Sequence, residues 1–277
     1  MRFKIVTDSS SNMYSFSDVD FASVPLKIIT DDAEYVDDAA LDVASMVCEL
    51  ETVKGHTGTS CPNAFDWEEA FSDADAVFAV TITSNLSGCY NAAVIGAEQF
   101  LEKNPDAKIY VIDTLSTGPE MQLIIEKLKE MILSGMEFDD IVVSIKEYMN
   151  HTHLLFSLES LANLARNGRV SPAVAKVAKV LGIRVVGAAS DHGTLEPLHK
   201  CRGEKKAIKA IFSEMETRGF CGGKVHIAHC FNENAAMQLK QSILEVYPQS
   251  VVDILSCGGL CSFYAEKGGL LVGYESK

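Results

Sequence analysis

The sequence has no run of apolar residues near the ~20 that a membrane-crossing helix needs, which excludes a helical span. It has no excess of positive charge: 24 Lys+Arg stand against 38 Asp+Glu, for a formal net charge of -14. A phosphate backbone or an anionic membrane surface needs clustered cations, so nucleic-acid and membrane-surface partners are disfavoured. None of the 8 Cys forms a CxxC pair. The opening Met1-Arg2-Phe3-Lys4-Ile5-Val6 lacks the apolar region and cleavage site of a secretory signal. Free thiols in a reducing cytoplasm are the expectation. Nucleotide loops are missing too: no GxxxxGK[ST], and no GxGxxG after a strand, so ATP or NAD binding by a standard loop is excluded. His226 and His229 are three apart in a strand-like run and point to opposite faces, and His151 and His153 have no third ligand at metal spacing. No metal and no cofactor are expected.

What is present is ordinary globular material: 277 residues, 47% hydrophobic and 22% charged, enough for one large or two medium domains. Buried strand-like runs at 3–6, 76–83 and 107–112 alternate with helical spacing at 86–102 and 120–133, the second opened by Pro119 and closed by Gly135. Strand then helix, repeated, predicts a parallel sheet covered by helices. The second half reads differently. Strands at 154–158, 183–188 and 194–198, the last two flanking the Asp191-His192-Gly193 turn, join helices at 159–165, 172–181 and 204–217. A strand–helix–strand run over 224–257 and a last strand at 270–274 complete it. The fold class expected is α/β in two domains, 1–150 with a parallel sheet and 151–277 with a mixed sheet. No linker, repeat or low-complexity segment separates them.

The chemistry gathers in hydroxyl-rich stretches. Thr81-Ile82-Thr83-Ser84-Asn85-Leu86-Ser87-Gly88 follows one strand, and Asp113-Thr114-Leu115-Ser116-Thr117-Gly118 another. Thr57-Gly58-Thr59-Ser60 precedes Cys61-Pro62, where Pro62 reads as an early helical residue. In open parallel sheets ligands bind beyond the carboxyl ends of the strands, beside helix N-termini that favour anions. Each stretch alone is also what ordinary helix capping produces. Together, at one sheet edge, they predict a site for a small carboxylate or phosphate. A carboxylate held by neutral hydroxyls and N–H groups suits an amphiphile whose apolar tail drives binding. The alternative is a Ser87-dependent acyl hydrolase or transferase, because Ser87 sits between a strand and a helix; the first glycine of GxSxG is absent.

Several segments carry a specific resemblance. They are Thr7-Asp8-Ser9-Ser10, Thr59-Ser60-Cys61-Pro62, Ile82 through Tyr90 with its Leu86-Ser87-Gly88 core, Val111-Ile112-Asp113-Thr114, Asn167-Gly168-Arg169-Val170-Ser171 and Arg202-Gly203-Glu204-Lys205-Lys206. In this order and over almost the whole chain, the sequence resembles the DegV family, bacterial fatty-acid-binding proteins that include the binding subunits of fatty acid kinase. The resemblance implies two α/β domains with the lipid between them, and a buried tunnel for a long acyl chain such as palmitate, stearate or oleate. It implies carboxylate binding by Thr59 and Ser87 with backbone help at Gly88, no catalysis by the chain itself, and an ATP-binding kinase partner. It makes Thr114, Arg202 and Tyr264 secondary candidates near the head group or the partner. Two departures stand out. Cys61 and Asn63 replace the usual Gln and Ser, and Tyr264 stands where the family often has a histidine. Tyrosine donates a hydrogen bond but carries no positive charge near neutral pH.

Overall fold

The computed structural model describes residues 1–171, 174 and 182–277. The first half runs β1 (Phe3–Asp8), β2 (Asp20–Val24), β3 (Lys27–Thr30), β4 (Glu34–Val36), α1 (Val43–Leu50), β5 (Thr57–Ser60), α2 (Ala64–Ala70), β6 (Ala76–Thr81), α3 (Cys89–Lys103), β7 (Lys108–Asp113), α4 (Pro119–Leu133) and α5 (Phe138–Met149). There follow β8 (Thr152–Leu158), α6 (Ala162–Arg166), β9 (Ile183–Ala189), β10 (Leu195–Arg202), α7 (Glu204–Thr217), β11 (Lys224–His229), α8 (Glu233–Val246), β12 (Val251–Ser256), α9 (Gly259–Ala265) and β13 (Leu270–Glu275).

The parallel sheet has the order β2-β1-β6-β7. All six residues of β6 are buried, which is why this strand reads as a continuous apolar run. The mixed sheet has the order β10-β9-β8-β13-β11-β12, antiparallel except for the β11–β12 pair. Its strands come from residues 152–275, and those of the parallel sheet from residues 3–113. Helix α4 joins the two, touching β1 and β6 on one side and β8, β11 and β13 on the other. Its first turns are buried almost all round, from Pro119 to Ile125. Gly273 of β13 makes that contact close: a Cβ there would lie 2.5 Å from the backbone of Pro119 and Glu120.

The sequence expectations need three corrections. Residues 57–60 are not a loop at the edge of the parallel sheet. They form β5, which pairs antiparallel with β3 in a separate small sheet of order β4-β3-β5. Pro62 lies before α2 rather than in it, because Asn63 is the N-cap, in a reciprocal capping box with Asp66. Helix α9 was not foreseen. Its N-terminal Gly259 and Leu260 N–H groups bond to the buried carboxylate of Asp37, at 2.7 and 3.0 Å, so this late segment docks on early ones. The helix expected over 172–181 lies outside the described residues.

Candidate functional site

A narrow cavity of about 70 Å³ lies between the two large sheets. Its floor is one face of β8: Leu154, Phe156 and Leu158 alternate inward, and Leu271 of β13 stands beside Phe156. Leu26, Ile82, Leu86 and Leu260 line it from the other side.

One end of this apolar space is polar. Thr59 of β5, Ser87 before α3, and Arg169 and Tyr264 line it. The Thr59 and Tyr264 hydroxyls are 2.7 Å apart, although the residues are 205 apart in sequence. Burial pushes the Tyr264 phenol up, against smaller opposing effects from the Thr59 hydrogen bond and the Arg169 charge. The phenol is therefore a neutral donor at physiological pH. The Arg169 guanidinium sits 6.0 Å over the Tyr264 ring, and its Nε donates to the Leu86 carbonyl at 3.1 Å. The segment around Asn167-Gly168-Arg169 thus clamps the loop that presents Ser87 against α9. Arg166 adds a hydrogen bond to Thr57 at 3.2 Å.

The Ser87 hydroxyl donates to the Cys89 thiol at 3.3 Å and accepts the Cys89 N–H at 3.4 Å, both weak contacts that a better acceptor can displace. The N-cap of α3, Gly88, has no side chain to satisfy the first-turn N–H groups. The Ser87 N–H itself is taken by the Thr83 carbonyl at 3.2 Å. Behind this loop, Asp8 is fully buried. It accepts the Ile82 N–H at 2.8 Å and the Ser10 N–H at 3.1 Å, together with the Ser10 hydroxyl. Burial pushes its carboxyl up to about 6. Asp8 fixes the end of β6 from which the Ser87 loop departs.

Two of the sequence-derived candidates lie elsewhere. Thr114 is buried and donates to the Thr81 carbonyl at 2.8 Å, tying β7 to β6, and it lines a different cleft. Arg202 is exposed at the end of β10, an edge strand, away from the cavity lining. Gly88 stands beside Cys61, two residues after Thr59: a Cβ on it would lie 3.1 Å from the Cys61 thiol. Arg169 and Asp8 belong to quoted motifs but were given no role from sequence. An arginine next to a turn glycine and an aspartate ending a buried strand are the signals that mark them. All eight cysteines are free. Among the described residues no group of His, Cys, Asp or Glu is placed to hold a metal ion, and no helix is long and apolar enough to cross a membrane.

This arrangement defines a class: a two-sheet α/β protein enclosing an apolar cavity with a hydroxyl-lined polar end. The chain belongs to the DegV family, whose model, described as an uncharacterised protein of the DegV family, matches residues 2–277. A DegV domain-containing protein of Streptococcus pneumoniae is 42% identical over 279 aligned positions, covering 99% of each chain. The structure of a DegV family protein from Eubacterium eligens loaded with heptadecanoic acid has a TM-score of 0.97, with 45% identity over 99% of this chain and 100% of that one. The Streptococcus pneumoniae fatty acid kinase (Fak) B3 protein loaded with linoleic acid has a TM-score of 0.98, with 42% identity and full coverage of both chains. The expected two-part α/β fold, with a parallel sheet first and a mixed sheet second, is the fold of these neighbours.

Proposed function

We propose that the protein binds a long-chain fatty acid in this cavity and presents its carboxylate to an ATP-dependent kinase partner for acyl-phosphate formation, in the cytoplasm, without catalysis of its own. The observation that carries the reading is the meeting of Thr59, Ser87 and Tyr264 at the polar end of an otherwise apolar cavity. Thr59 and Ser87 are assigned to the carboxylate, with Gly88 at the helix terminus behind them. Tyr264 holds Thr59 in register and donates where a histidine would. Division near residue 150 puts the lipid between two domains, the second supplying the floor and also Leu260 and Tyr264. The tail supplies the affinity, because each buried methylene is worth about 0.8 kcal/mol. The loaded neighbours, with heptadecanoic and linoleic acid, support the ligand class, and the Fak B3 neighbour supports the kinase role.

Native mass spectrometry with lipid extraction tests this. The wild-type protein is expected to carry one fatty acid. Ser87→Ala and Thr59→Ala should each weaken retention by about tenfold or more, the worth of one hydrogen bond to a charged group (about 1.5–3 kcal/mol). Unchanged occupancy in both variants sinks the head-group assignment, and a wild type that takes up no added palmitate or oleate sinks the binding reading. Tyr264→Phe separates donor from ring. Loss of the hydroxyl should weaken retention less than Ser87→Ala does, because Tyr264 acts through Thr59; an effect larger than that of Ser87→Ala would place Tyr264 on the carboxylate itself. The hydrolase alternative needs a base within reach of Ser87. Among the described residues its hydroxyl contacts only Cys89.

A further inference from the structure

Gly187 occupies the middle of β9, on the face of the mixed sheet that floors the cavity. It lies directly across from Phe156 of β8, and Leu271 of β13 faces Phe156 from the other side. A glycine inside a strand weakens it, so its presence asks for a reason. Conformation is not the reason: Gly187 is absent from the positive-φ glycines, and any residue can adopt its backbone angles. Space is. A Cβ at Gly187 would lie 2.3 Å from Cζ and 2.8 Å from Cε2 of Phe156, and 2.5 Å from the Glu196 carbonyl oxygen. The tip of the Phe156 ring therefore rests on the bare Cα of Gly187.

Phe156 is a cavity-lining residue, only 1% exposed. With its ring laid over Gly187, the bulk of the largest floor side chain is taken up by the sheet and not by the cavity. A methyl group at position 187 must push the ring off by an ångström or more. Leu271 stands on the far side and the sheet backbone lies below, so the free direction is upward, into the space the ligand uses.

From this we infer that Gly187 sets the acyl-chain selectivity of the protein by parking the Phe156 ring against the sheet, a positioning residue that acts through Phe156 without touching the lipid. The inference rests on the fatty-acid reading above. The chains it admits are the bulkiest at the floor: the longer saturated acids and those kinked by a cis double bond. Packed apolar sites discriminate by single methylenes, about tenfold each at the low end, so a shift of this size is readable.

The test loads lipid-stripped protein with an equimolar mixture of myristate, palmitate, stearate and oleate, then quantifies the bound acids after extraction. Gly187→Ala should lower the stearate-to-myristate and oleate-to-myristate ratios about tenfold. Phe156→Leu should raise them. In a Phe156→Leu background, Gly187→Ala should change neither ratio, because the ring it displaces is gone; a purely structural role for Gly187, through the Glu196 carbonyl, would act equally in both backgrounds. A Gly187→Ala protein that loads with the wild-type profile overturns the inference. If that variant does not fold, Phe156→Leu alone decides: an unchanged profile overturns it. Failure of the fatty-acid reading looks different, since wild type would then bind none of the four acids.

Discussion

Asp37→Ala is expected to lower the stability of the protein by about 4 kcal/mol, seen as an earlier urea midpoint with an unchanged slope. The Asp37 side chain is fully buried and accepts three hydrogen bonds, from the Gly259 N–H at 2.7 Å, the Leu260 N–H at 3.0 Å and the Tyr14 hydroxyl at 2.7 Å. Alanine leaves these donors without their acceptor in a site that excludes water, and each orphaned donor costs about 1–3 kcal/mol. Two of them are the first N–H groups of α9, the helix that carries Leu260, Cys261 and Tyr264 into the cavity. Lipid retention should therefore fall with stability. Asp37→Asn keeps one carbonyl acceptor and should lose about half as much. An alanine variant within about 1 kcal/mol of wild type would mean that α9 is held by its apolar contacts, Phe263 against Ile28 and Met46, and not by its cap.

The second large effect is a pH dependence. Glu120, in the first turn of α4, is buried between the two sheets, where Ser116 donates to it at 2.5 Å and Thr152 at 2.8 Å. Desolvation outweighs these two hydrogen bonds and pushes its carboxyl from 4.5 up to about 7. Between those values the folded protein keeps a proton that the unfolded chain has released. Stability contributed by this proton is complete below about pH 4.5 and is lost as the pH rises towards 7. The loss amounts to about 3 kcal/mol. Asp8, pushed up to about 6, adds to it over the lower part of the same window. Burial pulls Glu126 and Glu130 up, but His226 and Lys224 beside Glu126, and Lys224 and Lys127 beside Glu130, outweigh it and shift both down, so they act below the ordinary glutamate range and outside this window. Urea midpoints at pH 5 and pH 8 should therefore differ for wild type and much less for Glu120→Gln, which retains a donor and an acceptor for the two hydroxyls. Parallel pH curves for the two proteins would remove Glu120 as the cause.

Most strands and helices of the two large sheets were legible because they bury a face or a whole run of residues, whereas β2, with only Val24 fully buried, was not. β6 is an unbroken apolar run, and α4 carries its proline at the first turn and a glycine beyond its end. Thr59 and Ser87, which both line the cavity, stood out in the sequence for the same reason that misplaced one of them. A hydroxyl cluster signals a helix cap, a strand or a site alike, and only the β3–β5 pairing shows that residues 57–60 are a strand. A strand-end threonine such as Thr114 is also well placed to bind the neighbouring strand's last carbonyl, and Thr114 does so. Arg202 stood out as a motif cation, and its exposed place on an edge strand, away from the cavity, could not be read from the motif. α9 was invisible because Cys257-Gly258-Gly259 at its start reads as a turn and its seven residues have no polar face: six of them are buried. Its helicity comes from Asp37 and the surrounding core, over 200 residues away in sequence.

That distance has a consequence for the life of the chain before it is folded. Tyr264 meets Thr59 across 205 residues, Gly259 meets Asp37 across 222, and the Cys261 thiol meets the Ser10 carbonyl across 251. None of these closures can form while the ribosome is still short of α9. Until then the first half of the molecule has its strands, but the wall of Leu26, Ile82 and Leu86 lacks Leu260, which α9 supplies. The binding site is thus the last part of the protein to be finished, and a chain stalled or cut before residue 259 presents an apolar cleft in place of a closed cavity. Such a fragment is a substrate for chaperones and for aggregation, so proteome quality control acts on the same surface that in the finished molecule is turned inward.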